Sequence, residues 1–204
     1  GTISSGSAIT FGAQSPTYGT GGGMKSNYIA FDPAQPGVFV IQFVDENNSR
    51  YGTGIVGTVA SAGTGTTITW GSPVVFQSNY TSRDSSSAGG GLQFDQQTAG
   101  KFVIVYDHTL GNNNYELTAR IGTISGTTLT FGASQPPWAS FNDGKGEYPA
   151  YAMDPNAAGK FVLMWRDKTN SNYGSLIVGT CNYGASTISW GAVTVFESSD
   201  IETE

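Results

Sequence analysis

Three segments of this chain open on an aspartate and close on a tyrosine: Asp45 to Tyr51, Asp107 to Tyr115 and Asp167 to Tyr173. Between them lie Asn47, Asn48, Asn112 to Asn114, Asn170 and Asn172. Carboxylate and amide oxygens are ligands for calcium, yet none of the three segments has the Asp-x-Asp/Asn-x-Asp/Asn-Gly spacing that closes a seven-oxygen cage. An aspartate capping its own turn and a tyrosine packing between repeated units account for the pattern more simply. No metal and no other cofactor is expected.

Acid–base chemistry has little to work with. His108 is the single histidine, and by alignment it takes the place of Glu46 and Lys168, which reads as an exposed loop residue. A Ser-His-Asp triad would have to use it, and no serine sits in a nucleophile elbow. A glycosidase needs two carboxylates across a sugar-sized cleft, for which Asp84, Asp143 and Glu147 are the candidates. The arginine cluster of a sialidase-like site is not apparent, because Arg50, Arg83, Arg120 and Arg166 stand at non-equivalent positions. The expectation is a protein that is not an enzyme, with no catalytic residue assigned. The lone Cys181 follows Gly179-Thr180 where Ile3, Val59 and Ile124 stand elsewhere, and it reads as a small buried hydrophobe.

Recognition chemistry is better supplied. Three long, dissimilar connections, residues 13–27, 77–91 and 134–148, carry Tyr18, Tyr80, Arg83, Asp84, Trp138, Phe141, Asn142 and Asp143. Exposed aromatics offer apolar platforms for sugar rings, while Asn, Asp and Arg satisfy hydroxyl groups whose unpaired burial is costly. Trp138 follows Pro136-Pro137, which stiffen the loop and lower the entropy lost on binding. Two roles stay open for it, a ligand platform and a cap folded back over the sheet. These eight residues form the candidate ligand-binding set.

The elements that must position them follow from composition and repetition. The 204 residues include 29 glycines, and only 12% are charged against a usual share of about 25%. With runs of Thr, Val, Ile, Phe and Tyr, this favours short strands joined by tight turns. A net charge of −6 without a Lys/Arg cluster argues against nucleic-acid binding. No 18-residue apolar run is present, so membrane insertion is not expected.

Three landmarks recur about every 60 residues. The first is an Asp turn with a closing glycine and a strand, at Asp32 to Val40, Asp95 to Val103 and Asp154 to Val162. The second is Gly-Thr, at Gly1, Gly57, Gly122 and Gly179. The third is an aromatic followed by glycine, at Phe11, Trp70, Phe131 and Trp190. Within one unit the pattern predicts strand A near Tyr28 to Phe31, B from Val38 to Val44, C from Tyr51 to Val59 and D from Thr67 to Phe76. Strand B is apolar on both faces, as a strand covered on both sides must be, whereas D alternates as a half-wet outer strand.

The predicted fold is therefore all-β, a β-propeller-like array of four-stranded antiparallel sheets with three full repeats and a partial one. Residues 1–18 read as the end of a preceding repeat, 19–76 as repeat 1, 77–133 as repeat 2 and 134–204 as repeat 3 with a C-terminal tail. Closure is expected to need further repeats of a parent chain or a homo-oligomer, since propellers usually have at least about four blades.

The segments Gly159-Lys160-Phe161-Val162, Asn170-Ser171-Asn172-Tyr173-Gly174, Ile177-Val178-Gly179-Thr180 and Thr69-Trp70-Gly71-Ser72-Pro73-Val74-Val75-Phe76 carry a resemblance. Over essentially the whole chain it resembles repeats of marine bacteriophage tail-fibre and virion-surface proteins and of secreted adhesins. That resemblance implies an extracellular or virion-surface location and attachment to a cell-surface glycan. The expected function is thus a non-catalytic binding or adhesion module that recognises glycans through long loops on one face. The alternatives are a structural spacer or fibre subunit without ligand and a propeller-type glycoside hydrolase.

Overall fold

The computed structural model describes residues 2–3, 9–10, 23–62, 65–81, 91–111, 114–137 and 146–200. Among these there is no helix, and thus none long and apolar enough to cross a membrane. A short antiparallel pair, β1 (Thr2–Ile3) and β2 (Ile9–Thr10), comes first. The first large sheet has the order β3 (Met24–Phe31), β4 (Val38–Asp45), β5 (Tyr51–Ala62) and β6 (Gly65–Trp70), with β7 (Val74–Tyr80) returning to pair with β5. The second is β8 (Gly91–Phe94), β9 (Lys101–Gly111), β10 (Asn114–Ser125) and β11 (Thr128–Phe131). The third is β12 (Gly146–Met153), β13 (Lys160–Asp167), β14 (Tyr173–Asn182) and β15 (Thr187–Trp190), with β16 (Thr194–Glu197) pairing with β14. All neighbouring strands run antiparallel, and apart from β7 and β16 they follow chain order.

Two expectations change. Strand D, read as one run from Thr67 to Phe76, is two strands, β6 and β7, that pair with opposite halves of β5. The break falls at Gly71, whose amide donates to Val56 O at 2.9 Å. A Cβ on Gly71 would collide with the carbonyl of Thr127 in the second sheet, so glycine admits the neighbouring turn and the strand bends around it. Gly132 repeats the device against Ser186 of the third sheet, donating to Ile121 O at 2.9 Å.

The second change concerns His108. Strands β9 and β10 continue to Gly111 and Asn114, and their register sets His108 opposite Glu116. Counting from the paired phenylalanines, His108 stands at the position of Asp45 and Asp167, not of Glu46 and Lys168. Asp107 accordingly lies within β9 and does not open a loop. The difference arises because Thr109 and Leu110 continue the strand. The other two copies turn there, through left-handed backbone at Ser49, Arg50, Ser171 and Asn172.

The sheets stack through unlike faces. Val40, Val56 and Phe76 of the first meet Leu92, Phe94, Phe102, Ile104 and Tyr106 of the second. Val103, Val105, Ala119 and Ile121 on the reverse of the second meet Tyr151, Phe161, Leu163, Trp165 and Ile177 of the third. Of the strand-B residues expected in these cores, Phe39, Phe43, Phe102, Ile104, Tyr106, Phe161, Leu163 and Trp165 are buried, and Ile41 is half-buried.

The Gly-Thr landmark has a steric cause. Phe39 faces Gly57 across the strand pair, Phe102 faces Gly122 and Phe161 faces Gly179. Each ring lies where a Cβ of its glycine would be. The third landmark closes the other side: Trp70, Phe131 and Trp190 meet these rings edge-on, with centroids 5.6, 5.8 and 5.4 Å apart. Two distant motifs of one repeat are therefore one packing unit. Replacing Phe102 with Ala removes the ring from both neighbours and is expected to cost about 3–5 kcal/mol in urea unfolding. A loss below about 1 kcal/mol would contradict this packing.

Candidate binding face

Every sheet has two ends with different chemistry. At one end lie the A–B and C–D turns. Gly37, Gly100 and Gly159 close the A–B turns at φ +81°, +69° and +71°, a region that favours glycine. Their carbonyls each accept from the third strand, from the amides of Val59, Ile124 and Cys181 at 2.8 Å. The turn aspartates look inward. Asp32 is buried, and its Oδ2 accepts the amide of Gly100 in the second sheet at 2.7 Å. Asp95 is buried in the same way and accepts the amide of Gly159 in the third sheet at 2.7 Å.

The same carboxylates also bind their own turns, Asp32 through Ala34 N at 2.8 Å and Gln35 Nε2 at 2.7 Å, Asp95 through Gln97 N at 2.8 Å. Tyr183, on the C–D turn of the third sheet, donates its hydroxyl to Asp95. Burial first, and then the Asp95 carboxylate, raise the Tyr183 phenol far above its ordinary value, so it remains a donor. This end of the molecule is occupied by bonds between sheets.

The opposite end gathers the B–C loops and the starts of the A strands. Thr81 donates to Arg50 O at 3.2 Å, so the connection after β7 leaves beside the loop Asp45 to Tyr51. Gly146 pairs with Asp167 and Met24 with Asp45, so the connections entering β12 and β3 arrive at this same end. Two groups of paired charges lie there, each joining partly buried and exposed side chains. Glu46 Oε1 takes Lys25 Nζ at 2.9 Å and Arg50 Nη2 at 3.0 Å, and those two hydrogen bonds hold its carboxyl below the ordinary range. In the third sheet Arg166 Nη2 and Asn172 Nδ2 reach Asp200 at 3.1 and 3.2 Å and hold its carboxyl low in the same way.

The turn-capping role read for the three loop aspartates is present at Asp45 and Asp167 and not at Asp107, which lies within β9. Asp45 Oδ1 accepts Asn47 N at 3.0 Å, and Asp167 Oδ1 accepts the amide and hydroxyl of Thr169 at 3.0 and 2.7 Å. Among the described residues no group of three His, Cys, Asp or Glu side chains converges.

Of the eight candidate ligand-binding residues, Tyr80 ends β7 opposite Tyr51 at this loop end. Tyr18, Arg83, Asp84, Trp138, Phe141, Asn142 and Asp143 lie outside the described residues. Thr81, which precedes residues 82–90, and Gly146, which follows residues 138–145, both lie at this end. The Lys25–Glu46–Arg50 and Arg166–Asn172–Asp200 groups were not singled out by sequence. Their only sequence signal is the i,i+4 spacing of Glu46 and Arg50.

Arg120 was also missed. It stands where the other sheets have Ile55 and Ile177, and the guanidinium is bound within the stack. Its Nε donates to Tyr106 OH at 2.6 Å, Nη1 to Gly132 O at 2.9 Å and Nη2 to Gln77 Oε1 at 3.2 Å. Tyr106 OH donates in turn to Gln77 at 3.1 Å, tying the first sheet to the second. Burial raises the Tyr106 phenol and Arg120 partly offsets that rise.

No protein-family model matches the chain, and no curated protein does. Among solved structures it is similar to Saccharomyces cerevisiae Sqt1, with a TM-score of 0.54 and 9% identity over 94% of this chain. The chain spans 40% of the length of that structure. At this identity the likeness is one of fold alone.

Cys181, half-buried beside the turn end, gives that end a measurable signature. Burial, and then the charge of Asp95, push its thiol from 9.0 up to about 12. Below pH 9 folded and unfolded chains both keep the proton, so this contribution to stability is whole. Between pH 9 and about 12 the unfolded chain loses a proton that the folded chain retains, and stability falls as pH rises. At pH 9 iodoacetamide is therefore expected to alkylate the chain in urea and to spare the native protein. Equal rates in both states would contradict the burial.

Proposed function

We propose that this chain is a non-catalytic binding module of an extracellular or virion surface, of the kind found in tail-fibre and adhesin repeats, that recognises cell-surface glycans. One observation carries the reading: the two ends are chemically divided. At the turn end Asp32 and Asp95 are committed to bonds between sheets. The loop end holds the ion pairs of Glu46 and Asp200, the exit of the chain after β7 and its entries into β3 and β12. Variable loops on a rigid repeating support are where recognition usually resides.

The sheets are read here as consecutive blades of a propeller-like array, with further repeats or other copies completing it. The inner strands support this. A methyl placed on Gly91 of β8 would lie 3.7 Å from both Tyr28 of β3 and Tyr151 of β12, so first strands of all three sheets crowd together as strands near a common axis do.

The test is a glycan array probed with the purified chain, with soluble products assayed in parallel. Binding without turnover is expected. Trp138→Ala is expected to lose that binding with an unchanged melting temperature. Product release would identify a glycoside hydrolase instead, and absence of binding to glycans or cells would leave a structural spacer. Unchanged binding in a stable Trp138→Ala protein would remove that residue from the site.

A further inference from the structure

Among the described residues Arg50 and Arg166 each meet a carboxylate, Glu46 at 3.0 Å and Asp200 at 3.1 Å. Arg120 does not. Its three acceptors are the Tyr106 hydroxyl, the Gly132 carbonyl and the Gln77 amide oxygen, all uncharged. A guanidinium carries five N–H donors, so two of those on Arg120 have no acceptor among the described residues. Gln77 has no capacity left for them, since its Oε1 accepts from both Tyr106 OH and Arg120.

The neighbouring junction shows that a tie between sheets needs no cation at this height. By register Tyr106 and Arg120 of the second sheet correspond to Trp165 and Ile177 of the third, which are buried in the apolar core against the second sheet. At the first junction both positions are polar, and β7 adds Gln77. Gln77 and Tyr106 are buried and Arg120 is half-buried, so the set has a closed floor and a cation that solvent still reaches. Gly132 follows β11, the outer strand of the second sheet, so the cleft opens on the rim of the stack, between the turn end and the loop end. Holding a cation partly out of water without a counter-charge is costly, and the paired oxygens of a carboxylate or sulfate match the planar fork of a guanidinium.

We infer that this rim cleft binds an oxyanion, a carboxylate or sulfate carried on a saccharide, through the two uncommitted N–H groups of Arg120. The saccharide as carrier rests on the glycan-binding reading above, whereas the oxyanion rests on Arg120 alone. The neutral groups of the floor fix the guanidinium, so it meets the ligand already oriented and little side-chain entropy is lost. The formal charge of −6 gives the chain no general attraction for anions, so a preference for acidic over neutral ligands reports a local site.

Nitrogen-15 NMR of the arginine Nε–H groups tests the oxyanion, using the 204-residue chain with inorganic sulfate and with acetate, and chloride at matched ionic strength as the reference. The Arg120 resonance is identified by its loss in Arg120→Gln. It is expected to shift saturably with sulfate and acetate and not with chloride. Retention is then compared on an array of oligosaccharides in neutral, sulfated and uronate-bearing forms. The wild-type chain should prefer the acidic forms, and Arg120→Ile, which carries the side chain the third sheet has at this register, should weaken their binding by about tenfold or more. Dichroism and melting check the fold of that variant. Arg120→Lys replaces it if it does not fold, keeping the charge and losing the fork. Sulfate binding at Arg120 with no glycan retained would support the oxyanion site and overturn the glycan reading. An Arg120 resonance indifferent to sulfate and acetate, equal retention of neutral and acidic forms, or an acidic preference that survives in a folded Arg120→Ile would each overturn the inference.

Discussion

The arrangement of this molecule depends on a carboxylate that one sheet lends to the next. Asp32 and Asp95 are buried turn residues, and an unpaired charge in that position would be strongly destabilising. Each is surrounded by donors, and the one that matters for architecture is the amide of the next sheet's turn glycine. The bond requires two conditions at once. The glycine must adopt positive φ so that its N–H points at the neighbouring sheet, and the following strand must sit at the height set by the turn. Satisfying both positions each sheet against its predecessor before side-chain packing is considered.

Packing then proceeds from that registration. Phe102 and Phe161 can lie flat on Gly122 and Gly179 because those strands carry no side chain there. The rings in turn form the surface on which Val40 and Val103 of the preceding sheets come to rest. Gly71 and Gly132 let the next turn approach the backbone of the outer strand. Hydrogen bonds and packing thus specify the same neighbour, the local and global agreement expected of a sequence that selects one structure. At the turn end this leaves little uncommitted. At the loop end the strands finish in surface ion pairs such as Lys25–Glu46, which contribute little to stability and leave the connecting loops room to vary.

Much of this was legible in the sequence as spacing and little of it as contact. The repeat of Asp-turn, Gly-Thr and aromatic-Gly identified the strands and the apolar positions of strand B, because periodicity in burial leaves periodicity in residue type. It did not reveal that Gly122 exists for Phe102, since the two are distant in sequence and meet only across a strand pair. The break at Gly71 was hidden for a related reason: its cause is Thr127 of another sheet. His108 was placed one position away because alignment by the aspartates assumed three equal loops, whereas the second is a longer strand pair. Arg120 carried a signal that went unused, a charged residue at the register of Ile55 and Ile177. Of the eight residues that carry the proposed glycan contacts, seven lie outside the described residues.

Amide hydrogen exchange by NMR on dilute, monomeric protein tests the central claim most directly. The turns of the three sheets are alike in conformation, and among the described residues only the amides of Gly100 and Gly159 are received by an aspartate of a preceding sheet. Exchange of Gly100 and Gly159 is predicted to require opening of the stack, with protection approaching that of the strand cores, while Gly37 exchanges near the rate of an open turn. Equal, fast exchange at all three glycines would contradict the account, because the carboxylates of Asp32 and Asp95 would then not be joining one sheet to the next.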